Sequence, residues 1–170
     1  MELVSQILII LVKLTFFTMT TLKRTNASDT DFLELVKLLD IDLQLRDGEE
    51  HYFFAQFNTT EGIKHVVVAY EGDEAVGCGA MRHFSDGVME LKRMFVRQDF
   101  RGRGIASQIL QELENWTLEC GYMSCILETG RKQPEAIALY RKHLYHEIDN
   151  FEPYKGIESS MCFEKVFVSG

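Results

Sequence analysis

The sequence lacks several features that would place it in a specialised class of protein. It has only 2 prolines among 170 residues, and no internal repeat or low-complexity segment follows residue 20, which disfavours linker-rich and repeat architectures. Its 4 cysteines form no Cys-x-x-Cys pair and are too sparse for a disulfide scaffold. Its 18 basic residues are outnumbered by 26 acidic ones, for a net charge of −8, so no nucleic-acid partner is expected.

The apolar content, in contrast, is sufficient for one compact domain with a substantial core. Hydrophobic residues make up 46% of the chain and aromatic residues 11%, which disfavours disorder. An acidic surface is suited to attracting a cationic small molecule or peptide. The cysteines lie in apolar segments, and we interpret all of them as reduced core residues of an intracellular, cytoplasmic protein. They are Cys78, Cys120, Cys125 and Cys162.

The first nineteen residues, MELVSQILIILVKLTFFTM, differ in composition from the rest of the chain. The apolar run from Ile7 to Val12 is interrupted by Lys13 and is shorter than the roughly 20 residues that a bilayer span requires. A basic leader region and a small-residue cleavage site are both missing, which disfavours a signal peptide. We expect residues 1–18 to be an upstream extension dispensable to the fold of a domain over 19–170. A membrane-tethering or partner-packing helix is the alternative.

Hydrophobic periodicity and turn residues predict alternating strands and helices in the remaining chain. The predicted elements are a short strand after residue 19, a helix over 29–46 capped by Ser28 or Asp29, strands over 64–70, 75–84 and 88–97, a helix from 105 to 120 terminated by Gly121, a strand over 122–128, a helix over 134–143, and strands over 145–148 and 160–168. Residues 47–63 do not distinguish a short helix from a loop. This order predicts a layered α/β fold with a sheet of mixed direction.

The stretch DFRGRGIAS, residues 99–107, joins a predicted strand to a predicted helix through a glycine turn. Such a turn directs free backbone N–H groups and the positive end of the helix dipole at one point, which favours an anion. Gly102 and Gly104 allow close backbone approach, and we expect Arg101 and Arg103 to supply mobile positive charge at the rim. The alternative is a solvated turn with two solubilising arginines.

Two nucleotide-binding motifs do not match this loop. A P-loop would end in Lys-Ser or Lys-Thr, which is absent, and a dinucleotide-binding fingerprint would have glycine at the position of Gln108. The pattern Arg101-x-x-Gly104-x-Ala106 instead resembles the pyrophosphate loop R/Q-x-x-G-x-G/A of the GNAT acyltransferase superfamily. The preceding strand, Glu90–Val96, is similar to the E-x-K-R-M-F-V strand found in many members.

The resemblance extends over roughly residues 64–165. LETG at 127–130 and QPEAIALY at 133–140 look like the family's next strand and its tyrosine-bearing helix. The resemblance implies acetyl-CoA, or a close acyl-CoA, as cofactor, and a mixed, mostly antiparallel central sheet flanked by helices on both faces. One departure is His143-Leu144-Tyr145, where the family commonly has a glycine before an aromatic residue.

The resemblance also implies roles for the main chain. Backbone N–H groups would bind the pyrophosphate, and a strand edge would hydrogen-bond the pantetheine arm as if it were an added strand. The pyrophosphate residues are Arg101, Gly102, Arg103, Gly104, Ile105, Ala106 and Ser107, and the pantetheine residues are Met94, Phe95 and Val96.

Acetyl transfer to an amine needs a base and an acid. An amine with a pKa of about 10.4 is about 3.4 pK units, or about 4.6 kcal/mol, from its nucleophilic form at pH 7. Glu90 and Glu128 are the candidate bases, and the resemblance favours Glu90 slightly; the alternative for Glu90 is an exposed carboxylate paired with Lys92 or Arg93. Tyr140 is the candidate acid for the departing thiolate, and the alternative for it is a core aromatic position.

Other chemistries have weaker support. No His or Asp at a recognisable spacing would activate Cys78 or Cys125 for a route through an acylated cysteine. His143 and His146 lack a third ligand candidate, so no metal site is predicted. The sequence therefore predicts an N-acetyltransferase in which a primary amine of a small molecule or peptide attacks acetyl-CoA directly. A non-catalytic acyl-CoA-binding sensor is the alternative.

The acceptor itself is not readable from the sequence. Family acceptor pockets use segments that correspond here to residues 40–63 and 148–160, and acidic residues in them make a cationic amine a reasonable hypothesis. A solvated acidic face is the alternative reading for any single one of these residues. The sequence is also compatible with a homodimer.

Overall fold

A computed structural model describes residues 19–167, so the expectations for residues 1–18 lie outside the described chain. The described residues form one seven-stranded sheet with helices packed on it. In chain order the elements are β1 (Thr20–Thr25), α1 (Thr30–Asp47), a 3-10 turn (Gly48–Glu50), α2 (His51–Ala55), β2 (His65–Glu71), β3 (Glu74–Ser85), β4 (Val88–Val96), a second 3-10 turn (Gln98–Phe100), α3 (Ile105–Glu119), β5 (Ser124–Gly130), α4 (Pro134–Lys142), β6 (His146–Ile148) and β7 (Ser160–Val166). Within residues 19–167, no helix has the length and apolarity needed to cross a membrane.

Local signals in the sequence explain where the helices begin and end. Asp29, rather than Ser28, caps α1, because its carboxylate accepts hydrogen bonds from the N–H groups of Asp31 and Phe32 at 3.0 and 3.1 Å. Gly121, at φ 81°, follows the end of α3 as predicted. The ambiguous segment 47–63 contains the first 3-10 turn and α2, followed by a loop.

The strand order is β1-β2-β3-β4-β5-β7-β6. Every neighbouring pair is antiparallel except β4 with β5, which run parallel. The expected mixed, mostly antiparallel sheet is therefore confirmed.

Helices cover both faces of the sheet, as expected. On one face, α1 contributes Phe32 to a cluster that includes Val66 and Val68. On the opposite face, α3 contributes Ile109 to a cluster that includes Val67. The alternation of neighbouring residues of β2 between the two clusters follows from the two-residue period of a strand, and it explains why this strand is apolar throughout.

The close approach of α3 to the sheet depends on glycine in β3. A Cβ atom at Gly79 would lie 2.5 Å from Met94 Sδ and 2.8 Å from side-chain carbons of Ile109 and Leu113. Real Cβ atoms essentially never lie so close to other atoms, so any larger residue would force these side chains to move. Glycine at this position therefore allows α3 to pack closely on the sheet.

The prediction that all four cysteines are core residues is wrong for one of them. Cys78, Cys125 and Cys162 are buried, but Cys120 is exposed. The reason is that α3 ends at Glu119, which puts Cys120 at the solvent-facing end of the helix, with its Sγ 3.7 Å from His65 Nε2.

Candidate active site

The sheet opens between β4 and β5. These strands pair over three positions, from Val88↔Ser124 to Glu90↔Ile126, although both continue beyond that point. A bulge in β4 lies at the opening: Cys78 pairs with Phe95 and Ala80 with Lys92, so two residues of β4 face one of β3. Such a bulge bends a strand, and here it leaves the main-chain edge of β4 from Leu91 to Val96 unpaired by β5.

The glycine turn lies at the far end of this opening. Gly102 and Gly104 have φ values of 77° and 80°, and a Cβ at either would meet nothing within 4 Å. The first helical hydrogen bond of α3 is from Gln108 N–H to Gly104 O at 3.1 Å, and no side chain caps the helix. The N–H groups of residues 105–107 therefore have no acceptor among the described residues, which is the arrangement of an anion site.

The arginines of the turn are anchored, which corrects the expectation of mobile charge. Arg101 Nε donates to Val96 O at 2.9 Å, and its Nη2 lies 3.2 Å from Asp42 of α1. Arg103 pairs with Glu71 at 3.1 Å. The two guanidinium groups therefore hold the shape of the turn while adding positive charge to it.

A groove of about 350 Å³ runs from the turn along β4 to α4; we call it the cofactor groove. All the predicted cofactor residues except Arg103 line it, namely Met94, Phe95, Val96, Arg101, Gly102, Gly104, Ile105, Ala106 and Ser107. Sequence reasoning missed its other wall, which includes Leu39 of α1 and Leu139 of α4. His143 Nε2 lies 2.9 Å from Ser107 Oγ and ties the end of α4 to the start of α3.

A second, smaller cavity of about 90 Å³ continues from the cofactor groove; we call it the acceptor cavity. Charged residues on its wall are Glu128, Asp47, Lys92 and Arg93. The residues that line both spaces are Leu39, Met94, Gln133, Ala136 and Tyr140. Tyr140 therefore lies at the junction of the two.

Glu128, on β5, lines the acceptor cavity. Ser160 Oγ donates a hydrogen bond to its Oε1 at 2.7 Å. Burial raises the pKa of Glu128 from an ordinary 4.5 to about 7, and the Ser160 bond and the charge of Lys92 only partly oppose this. At neutral pH this carboxyl group is close to half ionised, which suits a group that must accept and release a proton.

Glu90 has a different environment. It is 2% exposed and lines neither cavity. Arg82 Nε donates to one carboxylate oxygen at 2.7 Å, and Lys92 Nζ donates to the other at 3.1 Å. The ion pair with Lys92 considered from the sequence is present, but in a buried cluster, while Arg93 pairs with Asp40 instead.

Tyr140 is 5% exposed, and burial raises its pKa above the ordinary value of 10. Its ring packs against Tyr145 and Phe163, with centroid distances of 5.8 and 6.2 Å. Its hydroxyl has no hydrogen-bond partner among residues 19–167. The side chain is thus both a core aromatic and a wall of the reaction space.

The cysteine and histidine residues considered from the sequence line neither the cofactor groove nor the acceptor cavity. Burial raises the pKa of the Cys78 thiol to about 12 and that of Cys125 to about 11, so both are neutral thiols at pH 7. His143 is engaged with Ser107. No cluster of three or more potential metal ligands occurs in the described part of the chain.

Comparisons with known proteins point to one family and to its fold. The family model for the acetyltransferase (GNAT) family matches residues 32–144. An IAA acetyltransferase of Azospirillum brasilense is 31% identical over 147 residues, covering 85% of this chain and 96% of the relative. A Klebsiella pneumoniae protein assigned as an acyl-CoA N-acyltransferase superposes with a TM-score of 0.75 at 27% identity, covering 89% and 99% of the two chains. A PaiA N-acetyltransferase of Thermoplasma acidophilum, solved in complex with coenzyme A, has a TM-score of 0.67 at 15% identity, with coverages of 86% and 99%.

Proposed function

Since the chain belongs to the acetyltransferase (GNAT) family, we propose that it transfers an acetyl group from acetyl-CoA to a primary amine of a small molecule or peptide. The amine attacks directly while both substrates are bound. The observation that carries this proposal is the continuity of the site: one path leads from the main-chain donors of the turn, along the open edge of β4, to Tyr140 and Glu128.

The residues of the cofactor groove suit coenzyme A. The N–H groups of residues 102–107 would bind the pyrophosphate, because the glycines leave the space in front of them open. Met94, Phe95 and Val96 would bind the pantetheine arm through their main chain, because β5 does not pair with this part of β4. Acetyl-CoA supplies the acetyl group as an activated thioester.

Glu128 is our candidate general base. It accepts a proton from the acceptor nitrogen as the new N–C bond forms, directly or through a water molecule. A base with a pKa of about 7 is largely ionised just above neutral pH, where it can take up a proton. Glu90 instead positions Lys92, because both of its oxygens are hydrogen-bonded and it does not line the acceptor cavity.

Tyr140 is our candidate general acid. As the C–S bond breaks, its hydroxyl donates a proton to the departing sulfur. Glu128 then releases the proton taken from the acceptor nitrogen and the Tyr140 phenolate regains one, so no proton is gained or lost overall. Burial raises the pKa of Tyr140, but it raises that of thiols as well, as Cys125 and Cys162, both at about 11, illustrate.

The direct test combines the protein, acetyl-CoA and a panel of primary amines, with release of free thiol and acetylated product measured together. We expect free thiol and acetylated amine to form in equal amounts. Tight acetyl-CoA binding without transfer to any acceptor would favour the acyl-CoA sensor, and absence of binding at saturating acetyl-CoA would contradict both functions.

A further inference from the structure

The acceptor cavity is lined by groups of both charges. Glu128 and Asp47 contribute carboxyl groups, and Lys92 and Arg93 contribute cationic side chains. The acceptor amine needs only the carboxyl groups. The two cations can therefore serve another part of the acceptor.

Arg93 is a buried cation with an unused donor. Its side chain is 3% exposed, and its Nη1 lies 2.8 Å from Asp40, whose side chain is 47% exposed to water. Its Nε is buried without a hydrogen-bond partner among the described residues. A buried guanidinium donor without an acceptor is costly, so Arg93 is an incompletely paired cation on the wall of the acceptor cavity.

The backbone of Arg93 is also unusual. Its φ of 58° lies in the left-handed region, which non-glycine residues seldom adopt. Strain of this kind concentrates at ligand-binding positions, where the surrounding structure maintains it. It arises at the bulge of β4, where Arg93 joins the wall of the acceptor cavity.

Lys92 adds to the positive charge. Its carboxylate partner Glu90 is shared with Arg82, and the carboxyl group of Glu128 also interacts with Lys92. Its Nζ donates to Glu90 and to Tyr154 OH at 3.1 and 3.5 Å, which leaves one of its three N–H donors for another acceptor. Burial lowers the pKa of Lys92 below its ordinary value, an effect that a nearby anion would oppose.

The size of the cavity limits the acceptor. Its volume of about 90 Å³ is much smaller than the 350 Å³ of the cofactor groove, so it suits a small acceptor. Of the acidic residues in the segments 40–63 and 148–160, Asp47 alone lines the acceptor cavity. A long polycation therefore finds few carboxylates there, whereas a small molecule with both charges matches a lining with both charges.

We propose that the acceptor is a small amino acid, an amine that also carries a carboxylate, with its nitrogen toward Glu128 and its carboxylate bound by Arg93 and Lys92. This inference rests on the proposed acetyl transfer at the same site. A carboxylate would form charge-assisted hydrogen bonds with the cationic side chains of Lys92 and Arg93 that line the cavity, and these are stronger than the hydrogen bonds of an uncharged substituent.

The test compares acceptors that differ only in the carboxylate: alanine, alaninamide and isopropylamine, each with saturating acetyl-CoA. We expect kcat/KM for alanine to exceed that for alaninamide by about tenfold to a hundredfold, the range for hydrogen bonds to charged groups, and to exceed that for isopropylamine by more. Propionate, which has no amine, should inhibit competitively with respect to alanine, and propionamide should not.

The variants Arg93→Gln and Lys92→Gln should each reduce the alanine-to-alaninamide preference by about tenfold. Arg24→Gln is the matched control, because Arg24 pairs with Glu112 and Glu119 away from both cavities, and its preference should equal that of the wild type. If Arg93→Gln does not fold, as judged by circular dichroism, the Lys92→Gln variant and the wild-type inhibition by propionate still decide the matter.

Failure of this inference can be separated from failure of the proposed function. If alaninamide and isopropylamine are acetylated as well as alanine and propionate does not inhibit, the amino-acid acceptor is refuted while acetyl transfer stands. If acetyl-CoA binds but no amine of the panel, with or without a carboxylate, is acetylated, the amino-acid acceptor and the proposed acetyl transfer are both refuted. The same holds if acetyl-CoA does not bind.

Discussion

The cofactor groove and the acceptor cavity meet at Tyr140 but are built from different parts of the chain. Along β4 and the turn, the groove presents main-chain groups, namely an unpaired strand edge and helix N–H groups without a cap. The acceptor cavity presents side chains, several of them charged and buried. The first therefore depends on backbone shape and the second on the identity of individual residues.

This difference has an energetic counterpart. Main-chain donors of the turn face open space and need no buried charge, whereas burial disfavours the charged forms of Glu128 and Lys92. We therefore expect changes in the acceptor cavity to alter rate and pH dependence, and changes in the groove to alter cosubstrate affinity.

The largest effect is expected for Glu128→Gln. Removing the candidate base should lower kcat/KM by about 10²–10⁴-fold, while the Kd for acetyl-CoA stays unchanged, because Glu128 does not line the cofactor groove. Steady-state kinetics and calorimetric titration measure the two quantities, and Glu147→Gln, at an exposed carboxylate, serves as control. A wild-type rate in Glu128→Gln would refute the role of Glu128 as the base.

Tyr140→Phe should lower kcat by about a hundredfold. The ring keeps its packing and the hydroxyl loses no hydrogen bond to the described residues, so the unfolding temperature should change little. Tyr52→Phe, at a position 86% exposed, is the matched control. An unchanged kcat across the pH range would remove Tyr140 from the mechanism.

Gly104→Ala tests the main-chain part of the comparison. The added methyl group meets nothing in the protein itself, but it would occupy space in front of the turn, so we expect the Kd for acetyl-CoA to rise by at least about tenfold, the effect of losing roughly one hydrogen bond to a charged group. Gly87→Ala carries the same backbone strain, since φ is 74° there and a Cβ also meets nothing within 4 Å. Both should lose about 1–2 kcal/mol of unfolding free energy, and only Gly104→Ala should lose affinity; equal affinities would contradict an anion site at this turn.

The last prediction concerns stability and pH rather than activity. Because the pKa of Glu128 is raised from 4.5 to about 7 in the folded protein, the folded state binds the proton more tightly, and stability falls as pH rises between these values, by at most about 3 kcal/mol. The Glu128→Gln variant has no carboxyl group at this position, so its stability should not fall over this pH range for this reason. Thermal unfolding at pH 5 and pH 8 should therefore show the variant several degrees more stable than wild type at pH 8 and nearly equal at pH 5; a variant that is less stable at pH 8 would contradict the burial of charge at this position.

The parts of the molecule that follow from local patterns were predictable. The helix cap at Asp29 and the glycine turn at residues 101–104 each have a residue type that the local backbone requires. The bulge at Arg93 has no such signal, because arginine does not indicate a left-handed backbone. Sequence reasoning therefore placed Lys92 and Arg93 only as partners of Glu90 and missed them as walls of the acceptor cavity.

Contacts between distant segments account for the rest. The anchoring of Arg101 by Asp42 joins residues 59 positions apart, and no local periodicity reports it. Ser160, which donates to Glu128, lies 32 positions away. The burial that raises the pKa of Glu128 likewise depends on how β5, β7 and the loops above them pack, which a strand pattern does not specify.

The short seam between β4 and β5 has a consequence for the behaviour of the whole sheet. Strands β1 to β4 are joined to β5, β7 and β6 through only three residue pairs. A cosubstrate that hydrogen-bonds to the open edge of β4 and contacts α4 would add contacts between these two parts of the sheet. The unfolding free energy would then rise when the groove is occupied and fall again when the cosubstrate leaves.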